Sequence, residues 1–168
     1  MIRPTPPTPL PLPPTVHPGP TARGLTEFER GYFAATFASV GTVYAVARCR
    51  PGGQHAGAIL TIVVSSSNAE IPRTIAEMFG RGRLRRVAGH ARGPTTEWRV
   101  HAYHDLEPVL EYVVELVPRL RPRALLMLEF VRARRRVARN KPYSEREAQL
   151  IRALTPRKRA KLREVFYA

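Results

Sequence analysis

The sequence predicts an α+β domain with elements in the order αββαββα, followed by further helices. Three observations predict it. Thr26 with Glu29 forms a capping-box pattern ahead of an apolar run, and Gly41 suits the position just past a helix end. Alternating segments then come in pairs, turned by Pro51-Gly52-Gly53 and by the loop His90-Ala91-Arg92-Gly93-Pro94. A later segment repeats Leu106, Val109, Leu110, Val113, Leu116 and Val117 at helical spacing, which marks a core helix.

The first helix spans about four turns. On it Phe33, Phe37 and Val40 share one side, while Gly31, Ala34, Ala35 and Ala38 share the roughly opposite side. Bulky residues suit packing on a sheet. The small-residue stripe suits either close approach by another backbone or an ordinary buried, alanine-rich helix.

Strand one is expected over 42–50. Val43, Ala45, Ala47 and Cys49 share one of its faces, and Tyr44, Val46, Arg48 and Arg50 the other. Strand two follows over 58–65, then a helix over 69–79 with Ile71, Ile75, Met78 and Phe79 on its apolar side and Gly80 and Gly82 ending it. Strand three is placed over 83–88 and strand four over 97–102, where Trp98 and Val100 point one way and Glu97, Arg99 and His101 the other.

After the core helix, the segment 123–140 begins apolar and turns into Arg132, Arg134, Arg135, Arg136 and Arg139. A helix of this kind buries its first half and presents its second half to anions. Ser144 with Glu147 repeats the capping-box pattern, and Thr155-Pro156 opens a last helix carrying Leu162, Val165 and Phe166. These two helices read as mainly structural, with basic sides that either extend a phosphate footprint or stay solvated.

Composition bounds the class. The formal charge is +15 on 168 residues, and residues 119–168 hold 16 Lys plus Arg against 4 Glu, or +12 of that excess. Such a balance points to a polyphosphate partner. All but three of the basic residues are arginine, which forks onto phosphates and guanine edges where lysine acts as a point charge.

Residues 1–23 carry nine prolines and are expected to be a flexible, disordered leader. The domain proper is expected over 24–140, with basic helices over 141–168. Cys49 is alone, which excludes an internal disulfide or a cysteine zinc site. His101 and His104 lack nearby companions, so no metal site is expected there. No apolar run reaches the roughly 18 residues of a membrane span, and no secretory h-region is present. The default is a soluble intracellular protein of a bacterial cytoplasm or an organelle, with no membrane partner.

The run Phe33-Ala34-Ala35-Thr36-Phe37-Ala38-Ser39-Val40-Gly41 resembles the name motif of the LAGLIDADG homing endonucleases. The likeness continues through Val63-Val64-Ser65-Ser66-Ser67-Asn68, Met78-Phe79-Gly80, Thr96-Glu97-Trp98-Arg99-Val100 and Asp105-Leu106, covering about residues 25–135 in order. It implies an antiparallel sheet laid into the major groove, with alternate side chains reading bases. Arg48, Arg50, Arg83, Arg85, Glu97, Arg99 and His101 would occupy that face, where arginine contacts guanine and glutamate accepts from cytosine. A solvated sheet face is the alternative. Arg134 and Arg135 are further nucleic-acid candidates.

One motif per chain implies a homodimer seamed through Gly31, Ala34, Ala35 and Ala38, with a half-site for each subunit. In active members an acid just before the final glycine holds divalent metal beside the scissile phosphate. Val40 stands at that position here, and Ala38 at the earlier aspartate position. The expectation is a DNA-binding homodimer with no catalytic residue, no cofactor and no metal. The alternatives are an endonuclease with an altered Mg²⁺ site, an RNA-binding maturase and a ribonucleoprotein component.

Overall fold

Residues 24–49, 55–88, 93–137 and 141–155 are described by the computed structural model. The proline-rich segment, Arg50, the Pro51-Gly52-Gly53 turn and the helix expected after Thr155 lie outside the described residues.

Helix α1 (Glu27–Val40) starts as the sequence requires. Glu29 N donates to Thr26 Oγ1 at 3.3 Å, and Thr26 N donates to Glu29 Oε2 at 2.7 Å, so two amides without helical partners are satisfied reciprocally. The chain leaves the helix directly into β1 (Gly41–Cys49). Gly41 is required there by space, because a Cβ on it would lie 2.4 Å from Phe37 Cδ1.

Strands β1, β2 (His55–Ser66), β3 (Arg83–Val87) and β4 (Thr95–Val100) form one antiparallel sheet in the order β1-β2-β4-β3. Helix α2 (Glu70–Phe79) links the two hairpins, and α3 (Tyr103–Leu116), α4 (Arg121–Arg135) and α5 (Glu145–Leu154) follow. Both the α+β class and the αββαββα order are therefore present.

The strand alternation sorts the sheet into two faces. Val43, Ala45, Leu60, Ile62, Val64, Trp98 and Val100 are buried and join Phe33 and Phe37 of α1, Ile75 and Phe79 of α2, and Leu106, Val109, Leu110 and Val113 of α3. Stacking of Phe79 on Trp98 at 5.7 Å, and the tilted Phe33–Phe37 pair at 4.6 Å, continue this core as an aromatic chain. Leu150, Ile151 and Leu154 bring α5 into the same core beside β1. On the opposite face Tyr44, Val46, Ile59, Glu97 and Arg99 lie outside the core, while Thr61 and Val63 are buried.

Two glycines and an arginine hold β4 to the end of α2. Gly80 caps the helix at φ 57°, and Gly82 turns the chain into β3 at φ +83°. The intervening Arg81 carbonyl accepts from Trp98 Nε1 at 2.7 Å, which satisfies the only polar atom of a fully buried indole. Pro108 inside α3 cannot donate to the His104 carbonyl one turn back. Arg81 Nη1 approaches that carbonyl at 3.5 Å instead.

Helices α3 and α4 are joined by charge as well as by packing. Arg132 Nε donates to Glu107 Oε1 at 3.0 Å, Arg132 Nη2 donates to Glu111 Oε1 at 2.7 Å, and Arg135 also bonds Glu107. Hydrogen bonding from Arg132, more than any other influence, holds the Glu107 carboxyl below its ordinary range. A depressed carboxyl stabilises the fold above its unfolded pKa, about 4.3, and loses that contribution as pH falls through the lower folded value. Glu107→Gln should flatten this part of the acid limb when melting temperature is followed from neutral to acidic pH. Superimposable acid limbs for the two proteins would show that the clamp adds nothing.

Candidate nucleic-acid interface

The open face of the sheet is built by register. Arg83 lies opposite Arg99, which lies opposite Val63, and Arg85 lies opposite Glu97, which lies opposite Ser65. Arg83 and Arg85 are exposed on the edge strand and make no side-chain hydrogen bond or ion pair among the described residues. Both are therefore available to an anion. Arg48 is in β1 opposite Gly57, but its side chain lies outside the described residues, as does Arg50 altogether.

Glu97 and Arg99 differ from that pair. Arg99 Nε donates to Glu97 Oε2 at 2.7 Å, with Arg99 Nη2 at 2.5 Å from the same oxygen. The expected cytosine-accepting carboxylate is thus already engaged by a neighbour on its own strand. His101 is exposed just past β4, with Nδ1 3.1 Å from Thr61 Oγ1 and 3.3 Å from the Leu60 carbonyl. It extends the face toward β2.

The two candidate arginines of α4 are engaged elsewhere. Arg134 is buried, with Nη2 donating to the Lys141 carbonyl at 3.1 Å, Nη1 at 3.6 Å from Glu147 and the guanidinium 4.8 Å from the Tyr143 ring centroid. It ties α4 to the start of α5. Arg135 is exposed but paired with Glu107. Helical periodicity placed both in a basic run, and only the neighbouring helices revealed the acids that meet them.

The stripe on α1 divides in two. Gly31, Ala35 and Ala38 are exposed and Ala34 is half-buried, while Phe28, on the same side one turn earlier, is 80% exposed. A Cβ on Gly31 would meet nothing within 4 Å. Among the described residues no element of this chain covers that side.

At the C-terminal end of α1, Val40 is half-buried against the core and Ala38 is exposed. Ser39 Oγ donates back to the Ala35 and Thr36 carbonyls at 3.1 and 3.0 Å. Mg²⁺ requires hard oxygen ligands, and neither Ala38 nor Val40 supplies one. Among the described residues no group of three or more His, Cys, Asp or Glu is arranged to hold a metal ion. A cation does reach this end from the protein itself: Arg119, in the turn between α3 and α4, places Nη2 3.5 Å from the Gly41 carbonyl. Sequence reading missed it, since only the α3–α4 packing brings that turn to α1.

No described helix is long and apolar enough to cross a membrane. No protein-family model matches the sequence, and no curated protein sequence matches it. Solved structures do match. The chain superposes on the homing endonuclease I-TnaI with a TM-score of 0.62 at 11% identity, covering 84% of this chain and 97% of that one. I-CvuI in complex with its target matches with a TM-score of 0.53 at 18% identity over 62% of this chain and 66% of that chain. I-SmaMI bound to DNA, a LAGLIDADG homing endonuclease, matches with a TM-score of 0.57 at 13–14% identity over 82% of this chain but 46% of its own length. Element order, sheet topology and these superpositions agree, and the chain has the fold of the LAGLIDADG homing endonucleases.

Proposed function

We propose that this protein is a homodimer that binds duplex DNA through the open sheet face and does not cleave it by the metal-dependent route that the family resemblance implies for active members. The observation that carries the reading is the pair of exposed arginines, Arg83 and Arg85, unpartnered among the described residues on the sheet face opposite the helices of the core. I-CvuI, I-CeuI and I-SmaMI are each seen in complex with DNA. A charge of +15 supplies the attraction that any duplex would feel, and alternate side chains of a sheet supply the means to read it.

Dimerisation is supported by the exposed α1 stripe. Two copies of α1 meeting through Gly31, Ala35 and Ala38 would set two sheets side by side. The target is then a partly palindromic duplex of roughly two helical turns.

Loss of cleavage is supported by Ala38 and Val40, which leave the helix end without an oxygen ligand. A full-length protein incubated with a randomised duplex library and Mg²⁺ or Mn²⁺ should enrich one such sequence and leave it intact. Specific double-strand breaks would overturn the inactive site. Enrichment of structured RNA over every duplex would overturn the DNA reading in favour of a splicing or ribonucleoprotein role.

A further inference from the structure

We propose that Glu97 is a positioning residue that fixes Arg99 as a guanine-reading fork at the centre of the sheet face. The inference rests on the DNA-binding reading above. It assigns different jobs to two residues that composition alone would treat as independent base contacts.

Glu97 and Arg99 sit two residues apart on β4, so the pleat sends both to the open face. Their side chains are 13% and 26% exposed, which shields their interaction from salt better than a rim pair. The geometry is one-sided. Nε and Nη2 of Arg99 both address Glu97 Oε2, so the carboxylate takes the side edge of the guanidinium. Nη1 and the second N–H of Nη2 remain, and this end-on edge matches O6 and N7 of guanine bidentately.

The arrangement decides two further points. An unpaired carboxylate on this face would repel the phosphates of any duplex, whereas one already joined to Arg99 adds no net charge there. A free arginine also loses rotamer freedom when it binds, and one held by a neighbour has less to lose. Arg83 and Arg85, opposite Arg99 and Glu97 on the edge strand, have no such support among the described residues. They suit phosphates, which tolerate a mobile cation. Arg99 suits a base.

Selection from randomised duplexes, with sequencing of the bound fraction, tests the assignment on the full chain. The unaltered protein should prefer guanine at one base pair of each half-site by about 10–100-fold, the range of a good bidentate contact. Arg99→Ala should level that preference. Glu97→Ala should weaken it severalfold at the same base pair, with total affinity kept or raised. Glu97→Gln, whose amide oxygen still accepts from Arg99, should retain most of it, and thermal melts should show all variants folded.

A preference that survives Glu97→Ala but not Arg99→Ala would show that Arg99 reads unaided, and would overturn the proposal. So would an Arg99→Ala protein that weakens evenly on all sequences with a shallower salt dependence, the mark of a phosphate contact. Failure of the unaltered protein to select any duplex would instead overturn the DNA-binding reading itself, and the assignment with it.

Discussion

Gly82→Ala is expected to destabilise the fold by about 2–5 kcal/mol, from left-handed backbone strain together with overpacking. Gly82 has φ +83°, a conformation in which a Cβ crowds the following carbonyl. A Cβ there would also lie 2.5 Å from Trp98 Nε1 and 2.9 Å from the Arg99 carbonyl. Neither can yield cheaply. The indole is fully buried and bonded to the Arg81 carbonyl, and the Arg99 carbonyl belongs to the β4 backbone. A fall of roughly 10 °C in melting temperature corresponds to this cost for a domain of this size.

Gly93 provides the comparison. It has the same φ of +83°, but a Cβ added to it would meet nothing within 4 Å, so Gly93→Ala costs the backbone strain alone. The difference between the two melts isolates the close packing of the β3 entry against Trp98. Equal losses would mean that the indole shifts aside without cost, and that the α2–β4 junction is looser than its distances suggest.

Ala35→Leu is expected to leave the subunit folded and to separate the proposed dimer. Ala35 is exposed within one chain, so a leucine there meets no neighbour of its own subunit and is a good helix former. Across a seam of Gly31, Ala35 and Ala38, the same side chain would hold two helix backbones apart. Sedimentation velocity should shift from dimer to monomer. Affinity for a two-half-site duplex should fall by about 10²–10⁴-fold, because the second half-site ceases to be an intramolecular encounter. An unchanged dimer would place the interface elsewhere. Phe28, 80% exposed on the same side, marks where a contact based on bulk rather than on small residues would begin.

Much of the fold was legible because its signals are local. Both capping boxes form as read, with Thr26 bonded to Glu29 and Ser144 to Glu147. Strand alternation assigned Val43, Ala45, Trp98 and Val100 to one face correctly, since a strand cannot exchange faces without a shift of register. Boundaries moved where partners extended them. Strand β2 begins at His55 rather than near residue 58, because β1 continues beside it with a bulge between Arg48 and Cys49. Helix α4 ends at Arg135, five residues before the expected end near 140, in the basic stretch that no longer faces the core.

The candidate site was less legible, and for a physical reason. Arg83, Arg85, Glu97 and Arg99 could be assigned to a face by counting along strands, yet nothing in that count says which charges meet. Arg134 looked like part of a basic surface and is instead enclosed between Tyr143, Glu147 and the carbonyl of Lys141.

By itself the sequence determined the elements, the apolar face of each, the small-residue side of α1 and the absence of carboxylates at Ala38 and Val40. Those follow from side-chain type and from the periods of helix and strand, which act within a few residues. The tertiary structure decided which arginines remain available. Pairing Arg99 with Glu97, Arg132 and Arg135 with Glu107, and Arg134 with Glu147 leaves Arg83 and Arg85 unpartnered among the described residues of the sheet. Charge is a property of a residue, but its availability depends on neighbours that the chain supplies from as far as 85 positions away, as Glu115 for Arg30.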